Sequence, residues 1–138
     1  QALIDHYVKS VVLLIGRCYF EKQTQNDMIS RVILYMHDHL TESISVQQLA
    51  DMVYVSKSFL SRAFKQKTGL SLMEYLNSLR MEAAKAMLVA SNLNTEEIAY
   101  QTGYRSTKFF YRAFRAYTGM STREYRKKEM ENKSSGSR

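Results

Sequence analysis

The sequence of 138 residues contains no proline, no tryptophan and only five glycines. Turn-rich β-sandwiches and Gly-rich phosphate-binding folds are therefore disfavoured, and an all-helical fold is favoured. The single Cys18 cannot form an intramolecular disulfide, and with no secretory signal segment this favours a reducing cytoplasm. The longest apolar run, Val11 to Ile15, is far shorter than the roughly 20 residues that span a bilayer. We therefore expect a cytoplasmic protein with no membrane partner.

Positive charge is concentrated in the second part of the chain. Residues 45–128 carry 14 basic and 6 acidic side chains, whereas residues 1–44 carry 4 and 5. Lys and Arg gain free energy by displacing counterions from phosphates, so a basic block suits a polyanion such as DNA. The alternative is a basic surface that is simply solvated.

Apolar periodicity predicts two helices before residue 45. A broad apolar stripe runs through residues 1–20, and a second stripe predicts a helix over residues 27–40. The polar segment 21–26 between them is the predicted linker. Because the first residue is not an initiator methionine, we expect residues 1–26 to be a helical remnant of an upstream regulatory region followed by this linker.

Capping signals mark the helices that follow. Three serines are each followed three residues later by Gln or Glu, the capping-box pattern: Ser45, Ser71 and Ser121. Asn94 or Thr95 can cap a further helix, and Gly69 and Gly119 lie where helices should stop. The predicted helices are 46–53, 56–67, 71–90, 95–102, 106–117 and 121–128, and residues 129–138 are predicted to be a disordered tail.

The basic block contains an internal repeat. Residues 59–75 align with residues 109–125, and nine of the 17 pairs are identical. Upstream, Leu49-Ala50 aligns with Ile98-Ala99 when the second copy has one extra residue. Each copy is then a short helix, a tight turn and a second helix, the helix-turn-helix layout. The alternative is a helical solenoid or bundle with a solvated polar face, but a solenoid usually needs three or more repeats.

The second helix of each copy separates an apolar side from a polar side. The predicted core sides are Leu60, Ala63, Phe64 and the stem of Lys67 in the first copy, and Phe110, Ala113, Phe114 and Tyr117 in the second. The predicted outward sides are Ser58, Ser61, Arg62 and Lys65, and Lys108, Tyr111, Arg112 and Arg115. Arg can bind guanine bidentately, and Ser or Tyr can contact bases or phosphates, so both outward sides suit a DNA groove.

The predicted helix between the copies is nearly as long as one turn of DNA. Residues 71–90 would form a helix of roughly 30 Å, and successive major-groove segments on one face of DNA lie about 34 Å apart. Its apolar residues should pack against both halves: Leu79, Ala83, Ala84, Met87 and Leu88. Arg80 is expected to be structural or phosphate-facing rather than base-contacting.

The paired motifs resemble the DNA-binding domain of AraC/XylS-type bacterial transcription regulators. The resemblance covers about residues 27–128 and is carried by Leu60-Ser-Arg-Ala-Phe-Lys, Arg112-Ala-Phe-Arg and Thr102-Gly-Tyr. Tyr104 stands where the family most often has Phe, and Thr122 replaces the Pro that usually begins the last helix. The first helical position tolerates many residues, so Thr122 should cost little.

The resemblance implies an all-α domain of seven helices. Helix-turn-helix units at 27–70 and 91–128 would be joined by the linker helix 71–90. The helix predicted from the apolar stripe of residues 1–20 would precede them as an extra N-terminal helix. Recognition helices at about 56–67 and 106–117 would enter adjacent major-groove segments. The implied base-facing residues are Ser58, Ser61, Arg62, Thr107, Lys108, Tyr111 and Arg112, and we expect Lys57, Lys65, Arg105 and Arg115 to face phosphates.

The resemblance also implies partners. Promoter DNA and RNA polymerase are expected, with activation as the outcome, and a homodimer contact is expected through residues 1–20. Any effector would bind an upstream domain. A helical protein-interaction module is the alternative function, and an enzyme is a distant third. No catalytic, cofactor or metal site is predicted, because His37 and His39 point to different helix faces and no nucleophile has an assignable base.

Overall fold

A computed structural model of the chain describes residues 24–137. All regular secondary structure in this part is helical, in agreement with the predicted fold class. The helices are α1 (described over 24–38), α2 (Val46–Met52), α3 (Lys57–Thr68), α4 (Leu72–Ala90), α5 (Thr95–Gln101), α6 (Thr107–Thr118) and α7 (Thr122–Ser135). The predictions made for residues 1–20, including the extra helix and Cys18, lie outside the described residues.

The predicted caps are confirmed. The side chains of Ser45, Ser71 and Ser121 accept from the amide three residues later, and the Gln or Glu at that position accepts from the serine amide. Asn94, rather than Thr95, caps α5 in the same reciprocal manner. Gly69 and Gly119 end α3 and α6 in the left-handed conformation, with φ of 79° and 76°. Both ends of every helix from α2 to α6 therefore lie within one residue of prediction.

The helices enclose two hydrophobic cores, and α4 contributes to both. The first core joins α1, α2 and α3 to the start of α4 through Leu72 and Leu76. The second joins α5 and α6 to the rest of α4 through Met81, Ala84 and Leu88, with Tyr125 of α7 packed against it. With 19 residues, α4 is about 28 Å long. One compact unit packs against its first part and the other against its second part. Met81 is fully buried and belongs among the core residues of α4, although the sequence pattern did not select it.

Three predictions about local structure are wrong. Residues 24–26, predicted as linker, are already helical, and α1 ends at 38 rather than 40. Residues 129–135 continue α7 instead of forming a disordered tail. Lys133 of this extension donates a 3.4 Å hydrogen bond to the carbonyl of Val89, so the last turns of α7 are anchored on α4. This exposed contact with α4 adds to the intrahelical hydrogen bonds of a polar helix whose sequence has no apolar stripe.

Candidate nucleic-acid interface

Buried aromatic residues hold α3 and α6 in equivalent positions. Phe64 of α3 packs edge-on against Tyr75 at 5.3 Å between ring centroids, and Phe114 of α6 packs edge-on against Tyr125 at 5.6 Å. Both phenylalanines are fully buried. Because the repeat places these pairs 50 residues apart, each unit fastens its second helix to the following helix by the same contact. The opposite side of each helix is thereby presented to solvent.

The predicted outward residues lie on those solvent sides. In α3, Ser58, Arg62 and Lys65 are exposed and Ser61 is half-buried. In α6, Lys108, Tyr111, Arg112 and Arg115 are exposed and Thr107 is half-buried. Lys57, at the first position of α3, and Arg105, just before α6, are exposed as well. The predicted outward residues of α3 thus lie together on its solvent side, and those of α6 lie together on its solvent side, with Arg105 in the turn just before α6.

The arginine side chains on these faces have hydrogen-bond donors that no protein acceptor among the described residues uses. Arg62 Nε donates a long 3.4 Å bond to the Ser58 carbonyl, one turn earlier in α3. Within residues 24–137, the side chains of Arg112 and Arg115 make no hydrogen bond and no ion pair, and both residues line a depression of about 310 Å³ with Tyr111 and Ser121. A guanidinium without a protein partner keeps its planar set of donors available for a base or a phosphate.

The positive charge of α3 and α6 is not balanced by acidic residues within these helices. Neither α3 nor α6 contains an acidic residue, whereas α5 carries Glu96 and Glu97 in its first turn. The N-terminal ends of α3 and α6 add the partial positive charge of the helix dipole. Lys65 lies near Glu74 of α4, whose pKa is lowered chiefly by hydrogen bonds from Ser71 and to a smaller degree by Lys65. The two outward faces are therefore suited to anions.

The prediction that Tyr117 lies on the core side of α6 is wrong. Its side chain is 42% exposed rather than buried, and its hydroxyl donates a 2.8 Å hydrogen bond to Glu82 of α4. Glu82 also pairs with Lys85 at 3.1 Å. The hydrogen bond between Tyr117 and Glu82 is the main cause of two shifts: it raises the pKa of Tyr117 and lowers the pKa of Glu82. Lys67, the counterpart of Tyr117 in the repeat, is exposed as a whole residue.

Two aromatic residues beside the outward faces escaped the sequence prediction. Phe59 and Phe109 occupy the third position of α3 and α6 and are 38% and 62% exposed. Each directly precedes a fully buried residue, Leu60 or Phe110. Successive helical residues differ by about 100° in direction, so a residue next to a core position lies at the edge of the core side and beside the outward face. The positions of Phe59 and Phe109, each just before a predicted core residue, could therefore have identified them from the sequence. An aromatic edge there could contact a thymine methyl group.

Other kinds of site find no support in the described part of the chain. No cluster of three or more His, Cys, Asp or Glu residues there could hold a metal ion. His39 stacks on Tyr35 and pairs with Glu42 at 2.9 Å, which is a surface contact. None of the helices from residue 24 onward combines the length and the apolar character that a bilayer span requires.

Comparison with known proteins yields one consistent family. A family model described as a helix-turn-helix domain matches residues 49–128. The transcriptional activator RhaS of Citrobacter koseri is 30% identical over 105 residues, which is 75% of this chain and 38% of RhaS. The chain thus spans less than two fifths of the length of this curated relative.

Solved structures agree with the fold. The C-terminal domain of AraT, a response regulator from Geobacillus stearothermophilus, superposes with a TM-score of 0.71 at 31% identity, covering 73% of this chain and 84% of that domain. The DNA-binding domain of the global transcriptional factor AdpA, solved in complex with a target DNA, gives a TM-score of 0.68 at 30% identity. That match covers 71% of this chain and 88% of the AdpA domain.

Proposed function

Because this chain belongs to the AraC-type family of helix-turn-helix transcription regulators, we propose that it binds double-stranded DNA through α3 and α6. One helix would enter each of two adjacent major-groove segments. The observation that carries the proposal is the pair of outward faces, each basic and free of acidic residues, at equivalent positions of two repeated units. The length of α4, about 28 Å, is compatible with a separation of one DNA turn, about 34 Å.

Within this proposal the side chains have two roles. Arg62 and Arg112 would contact base edges with their neighbours on the same faces, which are Ser58, Ser61, Thr107, Lys108 and Tyr111. Lys57, Lys65, Arg105 and Arg115 would contact phosphates and so set the position of each unit on the duplex. Phosphate contacts contribute affinity without sequence preference, whereas bidentate base contacts contribute specificity.

The biological setting is part of the same proposal. We infer that the DNA is promoter DNA in a bacterial cytoplasm and that the outcome is activation through RNA polymerase, since the relative RhaS is named a transcriptional activator. A homodimer through residues 1–20 is part of the proposal, and any effector would bind an upstream domain.

The salt dependence of DNA binding tests the proposed function. A duplex selected from a random pool is labelled, and its affinity is measured by fluorescence anisotropy between roughly 50 and 200 mM salt. Neutralising about four phosphates predicts a loss of about 100-fold over this range. Lys65→Ala should reduce the slope of log K against log salt by about 0.9, whereas Lys128→Ala, at an exposed position of α7, should leave it unchanged. A flat salt response would contradict DNA binding and favour the protein-interaction module.

A further inference from the structure

Arg80 joins the linker helix to the first unit. It lies in the middle of α4, half-buried, between Leu76 of the first core and Met81 of the second. Its Nε donates a 2.8 Å hydrogen bond to the carbonyl of Leu40, and its Nη2 donates a 2.9 Å bond to the carbonyl of Glu42. Both carbonyls belong to the loop between α1 and α2. The guanidinium therefore holds that loop against α4.

The same guanidinium contacts the second unit. Its central carbon lies 5.7 Å from the ring centroid of Tyr104, in the turn between α5 and α6. The backbone of the preceding Gly103 approaches so closely that a Cβ there would lie 2.5 Å from the Leu40 carbonyl oxygen and 2.9 Å from Arg80 Nε. The hydroxyl of Tyr104 donates to Asn77, one turn earlier in α4. Loop, arginine and turn thus form one continuous contact between the two units.

Beside this contact the two units are separated by a cleft and share no hydrophobic core. A cleft of about 890 Å³ lies between residues 41–44 of the first unit and residues 100–105 of the second, and Arg80 is in its lining. The two hydrophobic cores have no residue in common. The angle between the units consequently depends on the stiffness of α4 and on this polar contact, and not on a shared core.

We propose that Arg80 is a positioning residue that sets the relative orientation of α3 and α6, and with it the spacing of half-sites that the domain accepts. The inference rests on the proposed function, since it concerns how the two helices are presented to one duplex. A guanidinium suits this role because its planar fork can donate to two loop carbonyls at once while its face lies against an aromatic ring.

Arg126 provides a matched control within the same chain. Its Nε donates to the Leu88 carbonyl at 3.0 Å, and its Nη2 donates to the Leu93 carbonyl at 2.7 Å. It is half-buried, like Arg80, and it also fastens a loop to a helix. All of its partners belong to the end of α4 and the start of the second unit. Loss of Arg126 should therefore weaken one unit without changing the angle between the two.

The experiment varies the spacing between two half-sites. The selected duplex is rebuilt in five versions, with zero, one or two base pairs inserted or removed between the half-sites. Each added base pair shifts the second half-site by about 3.4 Å and rotates it by about 35°. The parent chain should bind the original spacing at least tenfold more tightly than either neighbouring spacing. Failure of the parent to bind any version would contradict the proposed function itself.

Arg80→Met should flatten this spacing profile. We expect its affinity for the original spacing to fall about tenfold and its affinity for neighbouring spacings to change less than threefold, with base preference inside each half-site unchanged. Arg126→Met should keep the spacing profile of the parent. If Arg80→Met is unfolded at the assay temperature, Arg80→Lys carries the test, since an ammonium cannot replace the fork. An unchanged profile, or equal weakening at every spacing, in the folded Arg80 variant would overturn the proposal.

Discussion

Tyr54 and Gly103 occupy the same position in the turns of the two units, and both have a positive φ, 59° and 92°. The residues that follow them make the same turn bond, from Val55 to the Ala50 carbonyl at 3.1 Å and from Tyr104 to the Ala99 carbonyl at 2.9 Å. The turn thus demands a left-handed residue in both units. In the first unit Tyr54 adopts this left-handed conformation although it has a Cβ, and its side chain is 92% exposed.

Replacing Tyr54 by glycine should stabilise the domain. A left-handed conformation costs a residue with a Cβ roughly 1–2 kcal/mol, and the added chain entropy of glycine offsets roughly 0.5–1 kcal/mol of the gain. We expect Tyr54→Gly to raise the free energy of unfolding by about 0.5–1 kcal/mol, measured by urea denaturation. Tyr54→Ala is the control, because it removes the exposed ring but keeps the Cβ. An equal gain in Tyr54→Ala would mean that the ring, and not the backbone, is unfavourable.

Replacing Gly103 by alanine should do the opposite. The added Cβ would meet the Leu40 carbonyl oxygen at 2.5 Å, and the positive φ adds backbone strain. We expect a loss of about 2–4 kcal/mol, in the range of substitutions that combine overpacking with strain. Gly69→Ala is a matched control, since φ there is 79° but a Cβ would meet nothing within 4 Å. The two variants should differ in Tm by several degrees, and similar Tm values would show that the packing at Gly103 can relax.

Arg62→Ala and Arg112→Ala should reduce sequence discrimination and leave the fold intact. Both side chains are exposed and have no partner in a core, so Tm should change little. A lost bidentate base contact is worth about 1–3 kcal/mol at one base position. Selection from a random pool should show relaxed preference in one half-site for Arg62→Ala and in the other for Arg112→Ala. If both variants bind with the affinity and preference of the parent, these helices do not enter the groove.

Tyr117→Phe should remove a stabilising contact whose strength depends on pH. The hydrogen bond to the exposed Glu82 should contribute about 0.5 kcal/mol, because solvent screens it. Because the pKa of Glu82 is lowered in the folded state, its contribution is present above the ordinary carboxyl pKa and is lost as pH falls through the lowered value. The pKa of Tyr117 is raised, so at alkaline pH the contribution is lost again as pH rises through that value.

Urea denaturation at several pH values checks this sign. The difference between the parent and Tyr117→Phe should be largest near neutral pH and should shrink at about pH 3. Tyr111→Phe, on the exposed face of α6, is the control and should show no such trend. A difference that stays constant from pH 3 to pH 7 would show that Glu82 is not the group involved.

The sequence alone determined the helix ends and the main core positions, because these depend on neighbours three or four residues apart. The serine caps, the C-terminal glycines and the buried Phe64 and Phe114 all follow from such local spacing. The duplication of 59–75 at 109–125 likewise identified two equivalent units.

Tertiary structure decided the features whose partners are distant in sequence. Arg80 binds carbonyls 38 and 40 residues away, and Lys133 binds one 44 residues away. Tyr117 leaves the core side because Glu82, 35 residues earlier, accepts its hydroxyl. No local period encodes such contacts, since they form only when helices and loops that are distant in the sequence pack together and bring donor and acceptor within reach.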